Sequence, residues 1–365
     1  MNASPTPLPP AFRLTPDHAP TRLTDHLSWL DANRLAPAAA RVLANTPLPD
    51  DARAHLDDAY AQARAQWLLR KTALQRFLAL MAREPALPVI LLKGAALALT
   101  LYDDPAIRPM NDIDWLVRPG DMPEVLSRMR ESYDEAGLAP GEDVGYLHHF
   151  IFTDPATGVR IEPHRTLPLL PGGGAGLDWF LGQTEPHEFE GLPFLVFTPE
   201  AQLLHLAAHA MLEHGGPQGA VAIWLYDIDQ LIRRWGAGMD WDMAIDRAQA
   251  LAWEAALQQA ILMAREFFET PIPAAIKAWL QLPSADLSGY NILRSMTAGG
   301  RSSSLTVFHI LRSLSWSQRI RQLSHMLFPS IGYMKGRYPA IPWPLAYPYR
   351  WFDSARKLLP ALLWK

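Results

Sequence analysis

The sequence predicts an α+β fold, in which a mixed β-sheet core with flanking helices is preceded by N-terminal helices and followed by a mainly helical domain. Apolar residues recur at helical spacing before residue 85 and again after residue 197. Between these positions, short apolar or alternating runs are separated by turn-forming residues, a pattern typical of β-strands. The predicted segments are a disordered Pro-rich arm (1–20), an N-terminal helical segment (21–84), the core (85–197), the helical domain (198–335) and an aromatic and basic C-terminal tail (336–365).

Local patterns predict each element in turn. A long helix at 52–83 ends before two prolines, and Asp121 and Glu124 have capping-box spacing at the start of a later helix. The Gly-rich run 171–176 lacks the flanking strand and helix of a phosphate-binding loop, so a linker is predicted there. The remaining predictions are strands at 89–92, 112–117, 148–152 and 159–166, and helices at 23–43, 95–102, 121–135, 199–214, 220–235, 241–268, 273–281 and 304–327.

The composition limits the class of protein. With 365 residues, 49% of them apolar, the chain can bury a substantial core as one large or two modest domains. A formal net charge of −4 gives no strong nucleic-acid signal, and the lack of cysteine excludes disulfides and thiolate metal sites. The N-terminus has no secretory-signal pattern, and no run of about 18 apolar residues is present, so a cytoplasmic protein is predicted.

Two aspartates separated by one residue are the most specific chemical feature. Asp112 and Asp114 lie in a predicted strand, so both carboxylates leave one face, while Ile113 and Trp115 leave the other. Two carboxylates so close repel each other unless a cation lies between them. Mg²⁺ prefers carboxylate and water ligands, so this pair predicts a divalent metal site.

A neighbouring predicted strand supplies a third carboxylate. Strand alternation places Arg160, Glu162 and His164 on one face. Glu162 could therefore complete the metal site. As a general base, it could also take a proton from a substrate hydroxyl. The alternative is a surface glutamate paired with an arginine. Pro163 has no N–H to donate, which predicts an edge strand.

These motifs resemble a known group of enzymes. A glycine turn followed by an Asp-x-Asp strand is similar to the nucleotidyltransferase superfamily that includes DNA polymerase beta. The chain more closely resembles the uncharacterised nucleotidyltransferase family, and the matching segments are Lys93–Ala96, Leu101–Tyr102, Arg108–Asp114, Glu162–His164, 203–214 and 224–234. The resemblance implies a nucleotidyltransferase-type sheet, Mg²⁺ (or Mn²⁺) as cofactor and an NTP as substrate.

The nucleotide would be held by a backbone turn together with basic side chains. Gly94 lets the backbone approach the triphosphate, with the first N–H groups of the next helix directed at it, and Lys93 and Arg108 add charge. Ala95 replaces the Gly or Ser of the wider superfamily, so no hydroxyl is present there. With the cleft residues that the resemblance implies, the predicted nucleotide-binding set is Lys93, Gly94, Ala95, Arg108, His164, His209 and Asp227.

Alternative interpretations remain open in the helical domain and the tail. His205 and His209 have a spacing that can hold zinc, with His214 nearby, but a packed or phosphate-facing pair is favoured. Asp227 could equally form an ion pair with Arg233 or a neighbouring helix. The tail is expected to pack onto the helical domain, and membrane contact is the less favoured alternative.

The predicted function is metal-dependent transfer of a nucleoside monophosphate from an NTP to an unidentified acceptor, with release of pyrophosphate. Asp112, Asp114 and Glu162 are the predicted metal ligands and catalytic residues. The acceptor could be a small molecule, a sugar, a peptide or a protein. The alternatives are a catalytically inactive nucleotide-binding or scaffold protein that keeps this fold, and a phosphotransferase that moves only the terminal phosphate.

Overall fold

In the described part of the chain, a short 3-10 helix (Leu23–His26) and three α-helices precede the sheet. The computed structural model describes residues 23–136, 149–167, 170, 174–214, 216–284, 316–329, 331, 334, 338 and 341–362. The first helices are α1 (Leu27–Ala32), α2 (Ala36–Val42) and α3 (Asp50–Met81). α3 confirms the predicted long helix. The predicted Pro-rich arm at 1–20 lies outside the described residues.

A seven-stranded mixed sheet forms the centre of the fold. Its strands are β1 (Ile90–Leu91), β2 (Asp112–Leu116), β3 (Asp134–Glu135), β4 (Phe152–Thr153), β5 (Arg160–His164), β6 (Thr184–Phe189) and β7 (Leu192–Phe197). They are ordered β3-β4-β5-β2-β1-β7-β6. β2 pairs with β5, and β1 with β7, in parallel, whereas the other neighbours are antiparallel. This mixed sheet with flanking helices confirms the predicted α+β class.

Further helices flank the sheet and continue beyond it. Those within the core region are α4 (Lys93–Thr100), α5 (Met122–Ser132) and α6 (Gly174–Gly182). Those that follow are α7 (Pro199–Leu212), α8 (Ala222–Trp235), α9 (Trp241–Ala250), α10 (Glu254–Phe268), α11 (Ala274–Lys277), α12 (Trp316–Leu327) and α13 (Trp343–Leu362). Within the described residues, no helix combines the length and apolarity needed to cross a membrane.

The two faces of the sheet pack against different helices. Ile113, Trp115 and Ile161 belong to a buried cluster that includes Phe77 of α3 and Val125 of α5. Ile90, Leu92 and Leu116 belong to a second cluster, formed with α2, α7, α8 and α10. Because successive strand residues alternate between faces, Asp112 and Asp114 point away from the first cluster, towards the side of the sheet where the helical domain packs.

Several local predictions are wrong. The helices predicted at 23–43 and 241–268 are each divided, into α1 and α2 and into α9 and α10. Asp121 has helical backbone angles (φ −89°, ψ −14°) and its side chain does not cap α5. Glu124 instead accepts a hydrogen bond from Arg128 Nε at 2.7 Å, so an i,i+4 ion pair replaces the capping box. The predicted linker at 171–176 already belongs to α6 from Gly174 onwards, while 171–173 lie outside the described residues. Burial of apolar α6 side chains explains how helix forms despite the glycines.

The prediction that β5 is an edge strand is also wrong. β5 lies inside the sheet, between β4 and β2. The short β4 begins at Phe152, so it does not cover the level of Pro163. At that level the N–H of Phe150 donates to the Pro163 carbonyl at 3.1 Å, a contact that requires no N–H from the proline.

Candidate functional site

The predicted carboxylates converge on one face of the sheet. In the parallel register of β2 and β5, Asp112 lies opposite Arg160 and Asp114 lies opposite Glu162. Asp114 and Glu162 are buried, and Asp112 is half-buried. Asp114, Glu162 and His164 each offer a ligand atom, and these atoms lie within 4.8 Å of one another. The pairing of two strands about fifty residues apart in sequence therefore assembles a group able to hold a metal ion.

Protein cations surround these carboxylates. Lys93 Nζ lies 3.3 Å from Asp114 Oδ2, and His164 Nε2 lies 2.9 Å from Asp114 Oδ1. Arg160 Nη2 lies 3.1 Å from Asp112 Oδ2 and 3.6 Å from Glu162 Oε1. Three acids therefore have two permanent cations within ion-pair distance, and Arg34 acts on Asp112 from further away. The balance of charge depends on protons or on a bound cation.

The carboxyl groups differ in acidity because their partners differ. Burial, followed by the charges of Asp114 and Asp112, raises the pKa of Glu162 to about 7, although Arg160 and Lys93 oppose the shift. Burial, followed by repulsion from Asp114, also raises the pKa of Asp112. For Asp114, burial is opposed by Lys93 and by the hydrogen bond to His164, which together hold its pKa below the usual range. The site therefore contains one firmly ionised carboxylate beside two that bind protons more readily.

The glycine turn lies at the start of α4, directly after β1. Lys93 has a left-handed backbone (φ 46°), and no side chain caps the helix. Helix N-termini present N–H groups without partners inside the helix, so they favour anions. A Cβ on Gly94 would lie 3.1 Å from Met110 Cβ and 3.4 Å from Arg108 Nη1. Glycine therefore allows α4 to pack closely against this segment, and a larger residue would require Met110 or Arg108 to shift.

A second polar group lies at the end of α7. His209, Glu213 and His214 each offer a ligand atom within 4.8 Å of the others, and His209 Nδ1 hydrogen-bonds Glu213 Oε2. The Trp224 ring lies 4.7 Å from that of His209 and 5.2 Å from that of His214. Lys93 is close enough to interact electrostatically with both Glu213 and Asp114, so this group adjoins the acidic cluster.

Comparisons with known proteins identify the family. The sequence model described as "Uncharacterised nucleotidyltransferase" matches residues 20–269, more than half of the chain. The chain belongs to this family. Among solved structures, one match is the crystal structure of an antigenic nucleotidyltransferase-like protein from Paracoccidioides brasiliensis, with 13% identity and a TM-score of 0.29. The match covers 58% of this chain and 94% of that one. No curated protein matches the chain.

Membership of the nucleotidyltransferase family confirms the resemblance stated from the sequence. The matched range contains the glycine turn, both aspartates, Glu162 and the helices up to α10.

Arg108 and Asp227, both predicted to bind nucleotide, form a buried ion pair with each other. Arg108 Nε and Nη2 donate to the Asp227 carboxylate at 2.7–2.9 Å, and Tyr102 Oη donates to the same carboxylate at 2.7 Å. Both members of the pair are buried. The pair joins the segment before β2 to α8, so it helps to fix the helical domain against the sheet. Asp227 therefore has an ion-pair partner, but this partner is Arg108 rather than Arg233.

Other predicted residues also have defined positions. The Ala95 methyl is buried in the core cluster that contains Phe77, so this position does not face the carboxylates. His205 is buried in a T-shaped contact with Phe197, at 5.7 Å between ring centroids. This arrangement favours the packed interpretation of His205. The ligand-like group at the end of α7 contains His209 and His214 but not His205.

Sequence reasoning missed two residues and misplaced a third. Glu213 follows His209 by four positions on one helix, and this i,i+4 spacing is visible in the sequence. His149 Nε2 lies 3.6 Å from Glu162 Oε2, a contact that requires the folded sheet. The apolar stripe of α8 predicts a solvent-facing Asp229, but Asp229 is buried and its carboxylate pairs with Arg233 at 2.9 Å.

Proposed function

We propose that this member of the nucleotidyltransferase family transfers a nucleoside monophosphate from an NTP to an acceptor hydroxyl or similar group, with release of pyrophosphate. One observation carries the proposal. The parallel pairing of β2 with β5 presents Asp112, Asp114 and Glu162 together, beside the uncapped start of α4. Carboxylates suit a divalent cation and helix N–H groups suit phosphate, so the two halves of a metal–triphosphate substrate each have a complementary surface.

The donor set fits Mg²⁺ or Mn²⁺. Asp114 and Glu162, whose ligand atoms lie close together, would hold the cation, with Asp112 beside that group as a further ligand. Hard divalent ions prefer carboxylate oxygens, and carboxylates otherwise repel one another here. When bound, the metal would polarise the phosphate oxygens and stabilise the charge that develops during transfer. The raised pKa values of Asp112 and Glu162 are compatible with this fit, because burial and then repulsion from Asp114 disfavour their charged forms, and a bound cation would relieve that repulsion.

The chain's own residues would complete the reaction. The acceptor oxygen forms a bond to the α-phosphorus, the bond from that phosphorus to the bridging oxygen breaks, and pyrophosphate leaves. Glu162 would take the acceptor proton, because a base is most effective when its pKa lies near the working pH. Lys93 would neutralise phosphate charge at the start of α4. His164 would act as a positioning residue, because it holds Asp114 through a hydrogen bond.

The decisive experiment measures both products. Purified protein would be incubated with each α-labelled NTP, Mg²⁺ or Mn²⁺, and pools of sugars, small molecules, peptides and proteins. We expect pyrophosphate release and a mass increase of one nucleoside monophosphate on an acceptor, both lost when metal is chelated. Release of a nucleoside diphosphate would instead indicate transfer of the terminal phosphate and would contradict the proposal.

A catalytically inactive nucleotide-binding protein is the second candidate. It is favoured by the protein cations that already contact the carboxylates, Lys93 and Arg160 in particular, and by the core position of Ala95. Calorimetric titration with each NTP separates the two. Nucleotide binding without pyrophosphate release, across all acceptor pools, would support the inactive protein and overturn the transferase.

A further inference from the structure

The helix α12 exposes an apolar stripe. Its residues Trp316, Ile320, Leu323 and Leu327 are spaced four, three and four apart, and each is exposed, Trp316 to 74%. Residues at this spacing lie on one face of an α-helix. A soluble helix usually buries such a stripe against its own domain. The apolar face of α12 therefore requires an explanation.

A second exposed stripe belongs to α13. Leu345, Tyr349 and Phe352 are spaced four and three apart, and Phe352 is exposed to 68%. The two helices are joined to each other by polar and aromatic contacts. Trp351 Nε1 donates to the Leu327 carbonyl at 2.6 Å, and the rings of Phe328 and Trp351 lie 5.4 Å apart. We refer to the exposed residues of α12 and α13 together as the C-terminal apolar surface.

The charge of this part of the chain is distinctive. Residues 316–365 contain eight lysines and arginines but a single acidic residue, Asp353, whereas the whole chain has a net charge of −4. Aromatic residues are also frequent: α12 begins with Trp316, and α13 contains tryptophan, tyrosine and phenylalanine. Exposed Trp, Leu and Phe side chains in a segment whose sequence has an excess of basic residues match the interface of an anionic lipid bilayer.

We propose that the C-terminal apolar surface binds the face of a bilayer that contains anionic phospholipids. The helices would lie in the interfacial plane, with the apolar stripes among the acyl chains and the basic side chains near the lipid phosphates. A second copy of this chain is a poorer occupant, because a symmetric contact would bring the same excess of positive charge together. The tail was expected to pack onto the helical domain, but the exposure of these stripes favours the membrane alternative.

Vesicle co-sedimentation of the full-length protein tests the proposal. Sucrose-loaded vesicles of phosphatidylcholine alone would be compared with vesicles that also contain about one-third phosphatidylserine. We expect at least about tenfold stronger partitioning onto the anionic vesicles, with most of the gain lost in high salt. Equal partitioning onto both vesicle types, or no partitioning onto either, would overturn the proposal.

Matched variants locate the binding surface. The triple variant Trp316→Ser/Ile320→Ser/Leu323→Ser should lower partitioning at least about tenfold while the circular dichroism spectrum stays unchanged, because the replaced side chains are exposed. Leu68→Ser/Leu69→Ser removes exposed leucines from α3 and should leave partitioning as it is. Equal loss in both variants would contradict the proposal. So would a triple variant that binds vesicles normally but loses self-association or capture of an acidic protein.

Discussion

Two groups of charged side chains lie near Gly94, and they are built on different principles. Arg108 and Asp227 match one cation with one anion in a bidentate geometry, completed by Tyr102. The acidic cluster instead gathers three carboxylates around Lys93 and Arg160, which leaves an excess of negative charge. The first arrangement satisfies its charges and fixes the fold. The second leaves the pKa values of its acids displaced, which is typical of sites that bind ions or move protons.

The strongest test of this contrast removes charge from the acidic cluster. We expect Asp112→Asn/Asp114→Asn to lower metal-dependent NTP affinity and transfer by at least about a thousandfold, because a divalent ion would lose two ligands. The protein should remain folded, because the carboxylates of Glu162 and Glu213 still lie near the buried Lys93 and compensate its charge. Calorimetry with Mg²⁺ and NTP measures the affinity, and unchanged affinity would refute the metal assignment.

The same kind of change at the matched pair should affect stability instead. Asp227→Asn leaves Arg108 buried with no anionic partner, so we expect the free energy of unfolding to fall by about 3–5 kcal/mol. Urea denaturation measures this difference. The double variant Arg108→Met/Asp227→Leu should recover much of the loss, because no uncompensated charge remains buried. A single variant as stable as the parent would show that the pair does not fix α8 to the sheet.

Replacement of Glu162 should lower turnover and also change how the stability of the protein depends on pH. Glu162→Gln cannot accept a proton, so turnover should fall about a hundredfold and the acidic limb of the pH–rate profile should change. The folded-state pKa of about 7 exceeds the ordinary value of 4.5, so the folded protein binds this proton more tightly than the unfolded chain. The resulting stabilisation is complete below about pH 4.5 and is lost as pH rises through 7.

Denaturation without metal tests this linkage. Between pH 5 and pH 8, the parent should lose up to about 3 kcal/mol more stability than Glu162→Gln, which has no proton to release. Parallel pH dependence in the two proteins would contradict the assigned pKa of Glu162. Asp114→Asn makes a useful contrast, because the lowered pKa of Asp114 predicts a contribution that is lost as the pH falls.

The smallest effect is expected at Ala95. Its methyl group lies in the core beside α3 rather than among the carboxylates, so Ala95→Ser should change transfer by less than about twofold. Stability should fall by about 1 kcal/mol, because a hydroxyl enters an apolar cluster and can only bond back to its own helix. A large gain in transfer would instead place position 95 beside the phosphates and extend the acidic cluster towards α4.

The sequence predicts those parts of the site that depend only on the alternation of side chains along a single strand. Asp112 and Asp114 share a face because they are two residues apart, and the same rule aligns Arg160, Glu162 and His164. Glu213 lies near Lys93, and Arg108 forms a hydrogen-bonded ion pair with Asp227. In both pairs the residues are more than a hundred positions apart in the sequence. Nothing in local spacing predicts such contacts, so Arg108 was expected at the triphosphate rather than inside the fold.

By itself, the sequence determined the α+β class, the long α3 and the shared face of the acidic residues, because hydrophobic period and strand alternation are local properties of the chain. Only the tertiary structure decided which charges are matched and which are left in excess. Pairing depends on distances set by the packing of helices on the sheet, and a residue's partner, burial and pKa follow from those distances. The position of β5 inside the sheet was decided in the same way, by the strands that came to lie on each side of it.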